Sequence, residues 1–246
     1  MDVNLLVILG IMTVFAAGFI QGLTSFGFAL IAMPFLAKVI PLQQIVPIVV
    51  ILSLFTNIIV IINVRRHIDI KKIWILILFS LLAAPMGTYL LIYLNEPVLK
   101  ILTGLLIVGF STILLLGKSF PIRNEKLAFV SVGILSGLLN GSISMSGPPV
   151  ALFLSNQNMG KEKFRANITA YAIILNVITI STYIYSGLLT KEVMIYTSWF
   201  IPSMLLGVLC GIKAIKKLDD QLFRRLALWL IIISGLWTLV NTLTSL

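Results

Sequence analysis

Six uninterrupted apolar runs constrain this chain more than any other feature: 45–64, 73–94, 98–117, 166–186, 193–212 and 222–244. Each is near the roughly 20 residues a helix needs to cross a ~30 Å hydrocarbon core. With no water in that core, the backbone must satisfy its own polar groups, and a helix does so within one segment. Composition agrees, with 59% hydrophobic and 11% charged residues, against roughly 25% charged in soluble domains. The expected fold class is all-α, a polytopic helical membrane protein.

Two further apolar stretches behave differently. Residues 3–37 are interrupted at Gln21-Gly22-Leu23-Thr24-Ser25, and residues 127–155 at Asn140-Gly141-Ser142. The pieces after each interruption are about 12 or 13 residues, and a 13-residue helix is only about 20 Å long. Each stretch is therefore read as a hairpin of short or re-entrant helices. The Lys/Arg bias sets loop orientation and tests that reading. If both hairpins return to their starting side, 15 basic residues fall on one side and only Lys38, Lys100 and Lys191 on the other. With single crossings the split is 8 against 10. The hairpin topology wins, with both termini extracellular in a multi-pass protein of the cell membrane.

An internal repeat follows. Gly18-xxx-Gly22-Leu23 recurs as Gly133-xxx-Gly137-Leu138, and Pro34 as Pro149, at a spacing of 115. Asn57 recurs as Asn176 at a spacing of 119, with the longer second loop absorbing the difference. Residues 1–117 form a first repeat, 118–126 a cytoplasmic linker and 127–246 a second repeat. A hairpin plus three spans crosses an odd number of times, so the second repeat is inverted relative to the first. Broken helices in inverted repeats suit a secondary transporter that binds substrate near the midplane.

The stretches GFIQGLTSFGFALIAMPFL (18–36) and GILSGLLNGSISMSGPPVAL (133–152) resemble the paired signature of the TauE/SafE family, sulfite exporter-like membrane permeases. The resemblance covers essentially the whole chain. It implies a transporter, an exporter of small sulfur-containing anions such as sulfite or organosulfonates, with another small organic anion as the alternative. The first copy departs from the usual glycine-rich run with Thr24-Ser25-Phe26-Gly27, and the second is serine-rich at Ser142, Ser144 and Ser146.

The residues point to an anion site on their own account. A helix broken inside the membrane presents free N–H groups and the positive end of its dipole. Thr24 and Ser25 precede one expected restart; Asn140, Ser142 and Ser144 precede the other. Their hydroxyls and amides can cap a helix or donate to an oxyanion. The competing reading is ordinary capping and close packing by small residues. Gln21, Phe26, Gly27 and Ser146 flank the same breaks, and Asn57 and Asn176 lie mid-span, where an unpaired amide is costly. These eleven are the candidate substrate-binding residues. Arg165 is read as entrance electrostatics, drawing anions from the cytoplasm, with a simple orientation charge as its rival. The Gly18/Gly22, Gly133/Gly137 and Gly207/Gly211 pairs are expected to be packing faces.

Absences narrow the function further. Every acidic residue falls in an expected loop or terminus, so an intramembrane proton relay has no members. There is one histidine, His67, and one cysteine, Cys210. Neither HExxH nor a P-loop occurs, so no metal, cofactor or catalytic centre is expected and the chain is not read as an enzyme. The formal charge of +10 lies in short loop clusters, not in a stripe suited to nucleic acid. The expected partners are the bilayer and a small anion, moved by potential-driven uniport. Homo-oligomerisation and a non-transporting role in a larger complex stay open.

Overall fold

The computed structural model describes residues 3–116, 124–155, 157, 159–215 and the single positions Trp229, Leu236 and Val240. The expected span 222–244, with Arg224 and Arg225, and most of the linker 118–126 lie outside the described residues. Nine α-helices carry the described chain: α1 (Val3–Thr24), α2 (Phe28–Leu36), α3 (Leu42–Val64), α4 (Ile70–Tyr93), α5 (Glu96–Leu116), α6 (Glu125–Ile143), α7 (Gly147–Ser155), α8 (Lys161–Tyr185) and α9 (Lys191–Ala214). No strand occurs among the described residues. Among the described residues, five helices, α3, α4, α6, α8 and α9, are long and apolar enough to cross a membrane.

The surface is that of a lipid-solvated protein. Leu82, Met86 and Leu206 are 65%, 61% and 61% exposed, while Gln21, Asn57, Asn140 and Asn176 are 1–2% exposed. Soluble proteins sort these residue types the other way. The buried amides are satisfied among themselves, as described below.

Helix ends follow local chemistry. The Asn124 side chain caps α6 by accepting from Leu127 N, and Thr190 caps α9 by accepting from Val193 N. Hairpin α1–α2 turns where Ser25 (φ 65°) and Gly27 (φ 109°) take left-handed conformations. Hairpin α6–α7 turns at Ser144 (φ 61°). For a serine this conformation costs about 1–2 kcal/mol, so surrounding contacts must hold it.

These positions correct the expected breaks. Gln21 and Thr24 remain in the last turns of α1, and Asn140 and Ser142 in the last turn of α6. The helices continue because their glycines lie flush against a neighbour and their amides find side-chain partners off the axis. The two serine turns are 119 residues apart, the same interval that separates Asn57 from Asn176. The 115-residue glycine match is thus one helical turn out of step with the geometry.

Two close helix pairs frame the molecule. A Cβ on Gly22 would sit 2.5 Å from Val208 O of α9, and one on Gly141 would sit 2.3 Å from Ala84 O of α4. Gly18 and Gly207 extend the first crossing, and Gly133 and Gly137 the second. Contacts advance along both chains together, so α1 runs parallel to α9 and α4 parallel to α6. Helices α3 and α8 pack at the centre and run antiparallel: Ser53 meets Asn176 while Asp69, beyond the end of α3, meets Asn167. Helices α2 and α7 have nine residues each, about 14 Å of helix, too short to cross alone. Both are mostly buried and lie near the central pair.

Candidate functional site

The turn at the end of α1 is held by one amide. Gln21 Nε2 donates to Asn57 Oδ1 (2.9 Å) and to Ser25 O (3.3 Å), while its Oε1 accepts from Phe28 N (3.1 Å). The last of these satisfies an N–H at the start of α2, which has no partner within its own helix. The turn at the end of α6 is held in a related way. Asn140 Nδ2 donates to Asn176 Oδ1 (3.1 Å) and to Thr179 Oγ1 (2.8 Å). In both cases the holding side chain reaches 36 residues along the chain to an asparagine in the middle of a long helix.

The two turns differ in what covers the carbonyls of the preceding helix. At α1, Arg165 Nη2 donates to Gly22 O (3.1 Å) and Nε to Ser25 Oγ (2.9 Å). At α6, the Tyr183 hydroxyl lies 2.8 Å from Gly141 O and 3.3 Å from Asn140 O. A helix C-terminus carries partial negative charge. The guanidinium offsets it at the first turn, and a neutral phenol serves at the second. The site is therefore positive on its first-turn side. Arg165 is only 7% exposed and sits inside α8, which starts at Lys161. It is a buried group inside a helix, placed at the break itself.

A cavity of about 30 Å³ lies between the turns. Roughly 10–15 Å³ holds one water, so the space suits a very small solute or a pair of waters. Both turns contribute to its wall, Gln21, Ser25, Phe26 and Gly27 from the first and Ser144 and Ser146 from the second. Ser53 and Asn57 of α3 and Tyr171 of α8 complete the polar lining. Phe28 and Gly147, the first residues of α2 and α7, also line it, so two positive helix ends face the space.

Proton bookkeeping sets the character of this wall. Ser25 Oγ accepts from the Arg165 guanidinium, which has no acceptor capacity, so the serine hydrogen points elsewhere. The Tyr171 hydroxyl lies 2.6 Å from Ser136 Oγ, and Ser136 donates to Ser146 O (3.0 Å). Ser136 has spent its only hydrogen, so Tyr171 is the donor of that pair.

Five of the twelve residues singled out from sequence do not line the cavity. The Thr24 hydroxyl stays within its own turn, where it accepts from Phe26 N and has its one hydrogen between Ile20 O and Phe26 O. Ser142 donates to Leu138 O. Asn140, Asn176 and Arg165 stand behind the wall and hold it. Sequence reasoning missed Ser53 and Tyr171, both in the lining. Ser53 had a legible signal: it lies one helical turn before Asn57, on the same face of an apolar span. No cluster of potential metal ligands occurs among the described residues. His67 stands exposed in a short 3-10 turn, and Cys210 is exposed.

An inside-out helical body with short buried half-helices meeting at a polar cavity defines a multi-pass membrane transporter. The chain belongs to the family described as Sulfite exporter TauE/SafE, which it matches over residues 10–238. It is 24% identical over 238 residues to a Cupriavidus necator protein described as a probable sulfite/organosulfonate exporter TauE, with 93% of this chain and 92% of the relative covered. No solved structure matches it.

Proposed function

We propose that the chain exports a small sulfur oxyanion, with sulfite as the best-fitting solute, through the cavity between the two serine turns. The carrying observation is that both turns reach one small cavity, with a buried guanidinium hydrogen-bonded to Ser25. Positive helix ends, the inward Ser25 hydroxyl and Arg165 all favour negative charge. The cavity holds about two waters, so any oxyanion requires the turns to separate, an inorganic one by less than a longer sulfonate. The Cupriavidus necator relative, a probable sulfite/organosulfonate exporter, supports the same solute class.

The chain is read as two inverted repeats, residues 1–117 and 127–246, joined by a cytoplasmic linker, with both termini outside. Support comes from the 119-residue recurrence of the serine turns and of the amide pairs. The antiparallel course of α3 and α8, which occupy matching places in the two halves, agrees with inversion. Because Ser53 and Ala172 sit near the mid-length of these helices, the cavity is assigned to the membrane midplane, where inverted-repeat carriers bind their solutes.

Transport is read as potential-driven uniport. No carboxylate or histidine is among the cavity-lining residues, and an anion leaving a negative-inside cell gains about 2.3 kcal/mol per charge per 100 mV. The test is sulfite efflux from proteoliposomes holding the full chain, with the potential set by a potassium gradient and valinomycin. Efflux should rise as the interior is made more negative. Flux that requires a pH gradient at clamped potential refutes uniport, and absence of sulfite flux refutes the solute assignment.

A further inference from the structure

The buried amides form two chains of donors, and both end on one hydroxyl. From the first hairpin, Gln21 Nε2 donates to Asn57 Oδ1, and Asn57 Nδ2 donates to Ser53 Oγ (3.2 Å) and Ser53 O (2.7 Å). From the second, Asn140 Nδ2 donates to Asn176 Oδ1, and Asn176 Nδ2 donates to Ser53 Oγ (3.4 Å). Amide orientations are decided by partners that have no choice of role. Phe28 N–H can only donate, which makes the facing Gln21 atom oxygen and turns Gln21 nitrogen toward Asn57. Asn57 must then receive on its oxygen, and its nitrogen faces the Ser53 carbonyl, which can only accept. On the other side, Thr179 spends its hydrogen on Leu175 O, so the Asn140 atom facing it must be nitrogen. Asn176 then accepts from Asn140 and presents its own nitrogen to Ser53.

A serine hydroxyl has two acceptor positions and one hydrogen. Both acceptor positions of Ser53 are taken by amide N–H groups, one from each chain. Its hydrogen is left to face outward, and Ser53 lines the cavity. Bonds in a chain polarise one another in the same sense, so two donor chains converging on one oxygen strengthen that O–H as a donor. The arrangement is single, because the residue 119 positions on is Ala172, which also lines the cavity and has no hydroxyl.

We propose that Ser53 is a substrate-binding residue whose Oγ–H donates to an oxygen of the bound oxyanion, with Gln21, Asn57, Asn176 and Asn140 as positioning residues that aim and polarise it. The assignment rests on reading the cavity as the anion site. It supplies a second hydroxyl donor, on α3, facing the one from Ser25, so that an oxyanion is gripped from α3 and the first turn together.

The test compares full-length wild type, Ser53→Ala and Ser53→Thr in proteoliposomes, reading the sulfite concentration at half-maximal flux, with thermal unfolding of each in detergent. A hydrogen bond to a charged partner is worth more than a neutral one, so Ser53→Ala should raise that concentration about tenfold or more. Ser53→Thr should restore it to within about threefold, with unfolding temperatures near wild type. The assignment is overturned if Ser53→Ala binds sulfite as wild type does. It is also overturned if the defect tracks a fall in unfolding temperature and threonine does not rescue it. A wild type that moves no sulfite overturns the anion reading and this assignment together, whereas an active wild type matched by Ser53→Ala overturns the assignment alone.

Discussion

Replacing Arg165 separates an anion-binding charge from a charge that merely orients the chain. Its Nε lies 2.9 Å from Ser25 Oγ, and an oxyanion held by that hydroxyl lies about 2.7 Å further on. The two charges are then about 5 Å apart. With an effective dielectric constant of about 20 their attraction is about 3 kcal/mol, or on the order of 100-fold in affinity. Arg165→Gln should therefore raise the sulfite concentration for half-maximal flux about 100-fold in proteoliposomes. Arg165→Lys keeps the charge but cannot reproduce the two-point grip on Gly22 O and Ser25 Oγ, and should lose about tenfold. Salt dependence sharpens the test. Attraction at an exposed entrance fades as the Debye length falls from about 10 Å at 0.1 M salt, whereas the guanidinium here is buried. The deficit of Arg165→Gln should stay constant between 50 mM and 500 mM salt. A folded Arg165→Gln protein with wild-type half-saturation, or a deficit that vanishes at high salt, refutes the reasoning.

Three further outcomes follow from the same geometry. Gln21→Ala strands the Phe28 N–H and removes a donor from Asn57. Unsatisfied buried groups cost about 1–3 kcal/mol each, so thermal unfolding in detergent should move down by several degrees; an unchanged midpoint contradicts the role given to this amide. Gly141→Ala puts a methyl where Ala84 O would be 2.3 Å away, against backbone that has no rotamer to yield. A cost of about 1–3 kcal/mol is expected and is read by the same assay, while Gly160→Ala, with nothing within 4 Å, should have an effect within about 0.5 kcal/mol. In a Cys210→Ser background, His67→Cys and Gly187→Cys should react with impermeant thiol reagents from opposite faces of sealed vesicles; labelling from one face refutes the topology.

Much of this protein was legible in its sequence because lipid leaves few options. Run length and apolar content alone located α3, α4, α8 and α9, which begin and end within five residues of the expected runs, whereas α6, expected as a short hairpin piece, is a 19-residue helix long enough to cross. Composition and two interrupted stretches sufficed to expect a helical membrane transporter with hairpins. The family signature lies at those interruptions because that is where short polar residues and glycines must sit. Tertiary structure decided the rest. Where α1 and α6 stop depends on partners far along the chain, Asn57, Asn176 and Thr179, so the breaks fall three to four residues later than local composition indicated. Arg165 looks like a loop charge until α8 packs against the end of α1 and carries it inside. Ser53 carries no local mark of function beyond its spacing from Asn57. Its role depends on the direction of two hydrogen-bond chains from opposite halves, and a direction of that kind exists only once α3 and α8 are packed together.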